Sequence, residues 1–434
     1  VIKQQVSSHY SDRRRRLMGL DPDACFVFFG AKEVVRNYDT HYPFTQESTF
    51  RYLTDFDEPD AVLVLVGGKS HLFVLDRDES REIWNGERYG VPRARVVFQM
   101  DEAHSVDGFY AKLEELLVDS KRVFYGLGED SKRDQEMLKV LSLARRFQGQ
   151  GRFGQLPVFD PLPLVSELRV LKDEHEIGLL RQATQATVRA HIAILKRIRP
   201  GMTEFDAYNE FQYHVFKNGC DALGYTPIFA SGYNATTLHY VKNNDVLKHG
   251  DLFLVDAAGE VNGYTADLTQ TFPISGKFTE PQKAIYEKVL EVNREIARIA
   301  KPGISYRALH ARSVEMLTET LIRLGVLDGD LQANIKSMSY RRFYPHGLGH
   351  YLGLDVHDVG IYKERGLDFE LKAGMLLTNE PGLYFRERGG SPYYGIGVRI
   401  EDDLLVTSTG VEVLTAGLPR EVNEIEHLRT IATT

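Results

Sequence analysis

Four carboxylates sit where strands would bury them. Asp256 closes the run Gly250-Asp251-Leu252-Phe253-Leu254-Val255-Asp256. Glu380 closes Gly374-Met375-Leu376-Leu377-Thr378-Asn379-Glu380, each carboxylate six residues after a glycine. A second carboxylate follows each run: Asp267 in Tyr264-Thr265-Ala266-Asp267-Leu268-Thr269, and Glu401 after Gly397-Val398-Arg399-Ile400. Taken singly, Asp256 or Asp267 reads as an ordinary turn or strand-end residue. Four in two matched runs change that reading, because buried carboxylates are costly unless something positive compensates them. Carboxylates are hard ligands that suit divalent ions such as Mn²⁺, and a cluster this charged suits two of them.

Histidines join the carboxylates. His346-Gly347-Leu348-Gly349-His350 is followed by Asp355-Val356-His357-Asp358, three histidines within twelve residues. The glycines permit tight turning and close backbone approach. One histidine is expected to be a ligand and the others to contact substrate; the residue pattern leaves open which. The spacing differs from the His-Glu-x-x-His of one-zinc proteases, and the sequence holds neither a Gly-x-Ser-x-Gly turn nor a phosphate-cradling loop.

The elements that must position these groups follow from local pattern. Gly259, Asn262 and Gly263 predict a hairpin between Asp256 and Asp267. With a two-residue loop and no bulge, both carboxylates share one face, opposed or diagonal, beside Leu252, Leu254, Thr269 and Thr271. Helical stretches at 280–300 and 306–324 separate the two matched runs, so a duplicated strand-and-helix unit is expected. Upstream, 166–196 is strongly helical, with Asp173-Glu174-His175-Glu176 beginning a turn. Ile177, Leu180, Ala183 and Ala190 share one face of it, and Thr203 is the N-cap of the next helix. The first part alternates strands at 25–29, 61–66 and 71–75 with helices at 109–118 and 135–147. A Gly- and Pro-rich connection at 149–163 joins the two parts. The fold class is therefore α/β (α+β), with an N-terminal mixed α/β domain at 1–165 and a larger domain at 166–434.

Bulk composition narrows the partners. The net charge of −8 and a pI near 6.0 fit neither nucleic acid nor an anionic membrane surface. The basic run Arg13–Arg16 is expected to be the exposed face of a first helix. No apolar segment follows it, as a secretory leader would require, and no run reaches membrane-spanning length. Two distant cysteines, Cys25 and Cys220, point to a reducing, cytoplasmic setting.

The order Asp256, Asp267, His350, Glu380, Glu401 resembles the five-ligand signature of the pita-bread metallopeptidases, which include methionine aminopeptidase, prolidase and Xaa-Pro aminopeptidase. The strings Thr265-Ala266-Asp267-Leu268-Thr269-Gln270-Thr271-Phe272, Thr378-Asn379-Glu380-Pro381-Gly382-Leu383-Tyr384 and Gly397-Val398-Arg399-Ile400-Glu401-Asp402-Asp403 carry it. Leu352–Gly360 resembles the proline-specific branch. Tyr42-Pro43-Phe44-Thr45-Gln46-Glu47-Ser48 is similar to the creatinase-like first domain of Xaa-Pro aminopeptidases. Asn379 departs from the family, where valine or isoleucine is usual.

The resemblance implies a pita-bread catalytic domain with pseudo-two-fold duplication. Two divalent metals are implied, Mn²⁺ foremost and Co²⁺ or Zn²⁺ as alternatives, sharing a hydroxide that attacks the carbonyl before proline. Asp256 would hold one metal, Asp267 and Glu401 would bridge both, and His350 and Glu380 would complete the second. Glu380 would also carry the proton. His239 and His357 would contact substrate and stabilise the tetrahedral intermediate, and His346 would shape the proline pocket. Arg399 and Asp39 would form a polar pair, and Tyr225 and Tyr384 would line the pocket. Peptides with proline at the second position are the implied partners, and a homodimer or homotetramer the implied assembly. Prolidase, which takes only dipeptides, is the nearest rival. A metal-free hydrolase of the creatinase kind and a non-catalytic peptide-binding protein on the same fold are more distant ones.

Overall fold

Apolar, β-branched runs pair first with their sequence neighbours. Val62–Val66 and Lys69–Val74 form a hairpin across Gly67 and Gly68, both at positive φ (+57° and +76°), as a two-residue loop requires. Ala24–Phe29 lies antiparallel to Val62–Val66 and parallel to Arg122–Phe124, building a six-stranded mixed sheet with Glu102–Ser105 and Val158–Phe159 at its edges. The helices Phe109–Leu116 and Ser131–Phe147 supply Phe109, Leu113, Met137, Val140 and Leu141 to the core on that sheet.

The structure is a computed structural model and describes residues 3, 6–147, 156–364, 366–387 and 391–431. It divides into two compact units, Val1–Arg169 and Val170–Thr434. Much of the expected connection at 149–163 falls on residues 148–155, outside the described residues.

The basic run requires a correction. Ser8–Leu20 is a helix, but Arg13 and Arg14 are only 1% and 2% exposed; Arg15 and Arg16 alone face water. Arg13 donates to the carbonyl of Tyr52 (3.1 Å) and Arg14 to that of Leu53 (2.8 Å), both in the last turn of the helix Ser48–Thr54. The carbonyls at a helix C-terminus lack intrahelical partners, and the guanidinium groups fill that need.

In the second unit the helix Glu174–Arg197 opens on a capping box between Asp173 and Glu176 and buries Ile177, Leu180, Ala183 and Ala190. Residues 166–196 are thus two helices, since Leu162–Arg169 ends before this one begins. Thr203 caps Glu204–Lys217. A second helix pair, Glu280–Ile299 and Tyr306–Arg323, follows.

Each half of this unit has a strand ladder broken at one place. Leu252–Asp256 pairs with Thr269–Pro273 as far as Asp256 opposite Thr269; pairing resumes in the same register at Glu260 opposite Thr265. Asn262 and Gly263 form the predicted loop, at φ +49° and +80°. Asp267 lies in the break, diagonal to Asp256 on the same face. Leu376–Asn379 pairs with Asp402–Val406 as far as Asn379 opposite Asp402, and resumes at Gly382 opposite Arg399. Glu380 and Glu401 occupy that break, opposite one another. The outer face of the first ladder, with Phe229, Phe253, Val255 and Phe272, packs into the main core with Ala190, Ile194, Phe211 and Val289 from the helices. The other face carries Ile228, Ala230 and Leu254, packed with Tyr384, and it is here that the carboxylates converge.

Candidate metal centre

Both broken ladders open onto one cavity of about 500 Å³ in the second unit. It is lined by Tyr225, His239, Asp256, Asp267, His346, His350, His357, Glu380, Arg399 and Glu401, with Ile228, Leu238, Val241 and Val356 as apolar wall. Asp267, His350 and Glu401 each offer one ligand atom within a 4.8 Å cluster. His350 Nε2 stands 3.4 Å from Asp267 and 3.8 Å from Glu380. Among the described carboxylates His346 comes near Glu380, through Nδ1 at 3.8 Å. Tyr384 stands behind the wall. Asp39 lies in the other unit, exposed in the turn between Val35–Asn37 and Thr40–His41.

The loop bearing His350 is strapped to the strand that ends in Glu380. The amide of Thr378 donates to the carbonyl of His350 (2.8 Å), and that of Glu380 to the carbonyl of Leu348 (2.8 Å). The Thr378 hydroxyl accepts from the His350 amide at 3.1 Å. This approach needs Gly349, where a Cβ would stand 2.3 Å from the Thr378 hydroxyl.

Electrostatics make the cluster hungry for positive charge. Burial, reinforced by Asp267, Glu380 and Asp256, pushes the Glu401 carboxyl well above the usual carboxylate range, against Arg399. Burial likewise raises Asp267 despite the opposing His350, and Asp256 adds to it. Burial pushes Glu380 up to about 7, with Arg399 and His350 opposing and Asp267 and Asp256 adding. For His350, burial favours the neutral ring, but Asp267 and Glu380 outweigh it and raise the imidazole to about 9. Buried carboxylates that resist ionisation on their own, with an imidazole among them, are a donor set that fits divalent cations.

One cation is built in. Arg399, 4% exposed, donates from Nη2 to Asp256, from Nη1 to the Tyr384 hydroxyl (3.0 Å) and from Nε to the Thr269 hydroxyl (3.2 Å). Thr269 donates onward to Glu401 (2.7 Å), and Tyr225 donates to the other oxygen of Asp256 (2.7 Å). His346 donates from Nδ1 to the carbonyl of Gly347 (2.7 Å), so its Nε2 accepts from Tyr384 at 2.9 Å. Burial, then Arg399, lowers His346 to about 3, which keeps the ring neutral. Burial, then His350, also lowers His357, whose ring meets that of His350 edge to face at 4.3 Å.

Sequence reasoning missed two supports. Asp403, fully buried, accepts from the Asp267 amide and from Thr184 (3.3 Å each), fixing the backbone at the first break. Its position two residues after Glu401 gave no separate signal. Lys172 and Asp358 form a buried ion pair at 2.6 Å beside the histidine loop; 186 residues of sequence separate them, so no local pattern joins them. Asn379 is explained by the helix it abuts. Its side chain donates to the carbonyl of Asn293 (2.8 Å), and Asn293 donates back to the carbonyl of Asn379 (3.1 Å).

The described geometry agrees with what comparison finds. The model of "Metallopeptidase family M24" matches residues 178–408, more than half of the chain. This chain belongs to metallopeptidase family M24. The M24 segment is preceded by a match to "Aminopeptidase P, N-terminal domain" at residues 10–125. The Xaa-Pro aminopeptidase of Escherichia coli K12 is 38% identical over 437 residues, covering 99% of each chain. That of Haemophilus influenzae is 38% identical over 429 residues, covering 96% of each. The solved structure of Pseudomonas aeruginosa aminopeptidase PepP superposes with a TM-score of 0.95 at 37% identity, covering 99% of each chain. The fold of this M24 protein is thus an N-terminal α/β domain followed by a pita-bread domain.

Proposed function

We propose that this chain is a dinuclear metal-dependent aminopeptidase that releases the first residue of peptides whose second residue is proline. The observation that carries the proposal is the convergence of Asp256, Asp267, His350, Glu380 and Glu401 on one cavity, in a chain alike over its whole length to proteins named Xaa-Pro aminopeptidase. We take these five as the ligands of two divalent ions, Mn²⁺ first and Co²⁺ or Zn²⁺ as alternatives. Bound there, the ions supply a water that is nucleophilic at neutral pH and polarise the carbonyl under attack.

The chain's own residues do the rest. Glu380 is placed to take a proton at a carboxylate oxygen and to pass it to the departing proline nitrogen. His239 and His357 line the cavity beside the ligands and are assigned to the carbonyl oxygen, where N–H donors stabilise developing charge. His346 is held by Gly347 and Tyr384, so its ring, with Leu238, Val241 and Val356, offers a rigid wall for a pyrrolidine. An X-Pro bond carries no N–H, so a site that packs the ring rather than seeking a donor can select it. Arg399 holds Asp256 in place, Tyr225 orients the same carboxylate, and Asp39 remains assigned to the substrate. We further take 1–165 and 166–434 as the two domains, a homodimer or homotetramer as the assembly, and the cytoplasm as the compartment, which suits two buried, unpaired cysteines.

The test compares an X-Pro-Y tripeptide with the Gly-Pro dipeptide in added Mn²⁺. Release of the first residue of the tripeptide is expected. Efficient cleavage of the dipeptide alone would make the protein a prolidase, and the absence of metal-stimulated cleavage of either would overturn the reading.

A further inference from the structure

The first unit carries a second group of metal-ligating side chains that peptidase chemistry does not use. His71 lies on the strand Lys69–Val74, and Glu102 and His104 on the edge strand Glu102–Ser105. The strands run parallel with His71 opposite Glu102 and Phe73 opposite His104. Alternate residues of a strand share a face, so all three side chains stand on one side of the sheet. Three atoms meet there: His71 Nδ1 and His104 Nε2 are 3.3 Å apart, and Glu102 Oε2 is 3.6 Å from each nitrogen.

That triangle has the size of a metal's coordination face. Zinc binds imidazole nitrogen at about 2.0–2.1 Å and carboxylate oxygen at about 2.0–2.2 Å, and tetrahedral angles then set the ligand atoms roughly 3.3–3.5 Å apart. We propose that His71 Nδ1, Glu102 Oε2 and His104 Nε2 form a site for a divalent transition-metal ion, Zn²⁺ matching best, with the fourth position open to water. Two imidazoles and a carboxylate are a donor set that zinc favours.

The surroundings are arranged to suit. His71 is 3% exposed and Phe73 stacks on the His104 ring at 4.8 Å, so both imidazoles are held in place. Burial lowers both rings below the usual histidine range, against the pull of Glu102, which leaves them neutral and able to ligate. Lys69 donates to Glu102 Oε1 at 3.1 Å, fixing the carboxylate with its other oxygen turned to the histidines. Lys69 and Lys112 are also the positive charges the ion must tolerate. The two ring nitrogens now lie in hydrogen-bonding contact. To receive the ion, His71 carries its proton on Nε2 and His104 on Nδ1, so that both lone pairs face the metal. The ion would then tie the edge strand to its neighbour.

The experiment uses the full chain. Wild type, His104→Ala and Glu102→Gln are equilibrated with Zn²⁺, freed of excess ion and subjected to elemental analysis, with circular dichroism as the check on folding. The dinuclear centre is common to all three proteins, so the difference reads this site alone. Wild type is expected to retain one more zinc per chain than either variant, and Zn²⁺ to raise its unfolding temperature further than theirs. Glu102 is partly exposed, so Glu102→Gln carries the comparison should His104→Ala fail to fold. Equal zinc content in wild type and a folded variant overturns the proposal.

Discussion

Arg399 shows how much one side chain can organise. Its guanidinium reaches Asp256, Tyr384 and Thr269 at once, and through Thr269 it orients Glu401. A planar fork with fixed donors can do this, whereas a lysine ammonium on a flexible stem serves such a set poorly. Arg399→Lys keeps the charge and loses the geometry. It is expected to lower kcat/KM on an Xaa-Pro tripeptide by about 10- to 100-fold, the usual cost of losing a group that orients metal ligands. A value within twofold of wild type would remove Arg399 from this role. Residue type alone made the carboxylates conspicuous, because charge at the end of an apolar strand needs a reason. Arg399 is conspicuous only in space, where Asp256, 143 positions away, accepts from it.

At the scale of elements, the decisive feature is that strand ladders break where the carboxylates lie and resume in the same register. Breaks free the side chains at 267, 380 and 401 from strict pleating while the flanking pairs hold their backbones. The hairpin at Asn262-Gly263 was legible because two consecutive positive-φ positions demand such residues. The strap between the histidine loop and the strand Leu376–Asn379 was not, since it joins segments 28 residues apart through backbone amides and one hydroxyl that meet only where a glycine allows it. Gly349→Ala tests it. The new Cβ would lie 2.3 Å from the Thr378 hydroxyl and 2.6 Å from its carbonyl oxygen. Overpacking of this kind costs about 1–3 kcal/mol, and separation of His350 from Glu380 should lower metal content. Chemical denaturation and elemental analysis check both; an unchanged midpoint with full metal content would discount the strap.

For the molecule as a whole, the centre is a stability question as well as a chemical one. Asp267, Glu380 and Glu401 come from the ladder breaks in both halves of the second unit, and burial, with neighbouring carboxylates adding, makes each resist ionisation. Ions that bind only the folded site stabilise it by about 2.7 kcal/mol at a hundredfold excess over Kd. Removing divalent ions with a chelator is therefore expected to lower Tm, and restoring Mn²⁺ to recover it. A Tm indifferent to measured loss of metal would contradict this. The sequence by itself determined the paired carboxylate runs, the hairpin, the helix caps and the duplication, because each is written in residues a few positions apart. Tertiary structure alone decided that His350 rather than His346 turns its Nε2 toward Asp267, that Arg13 and Arg14 are buried on helix carbonyls, and that His71 meets His104. Those outcomes depend on which distant partner a polar group finds once the chain is packed, and no local period encodes that choice.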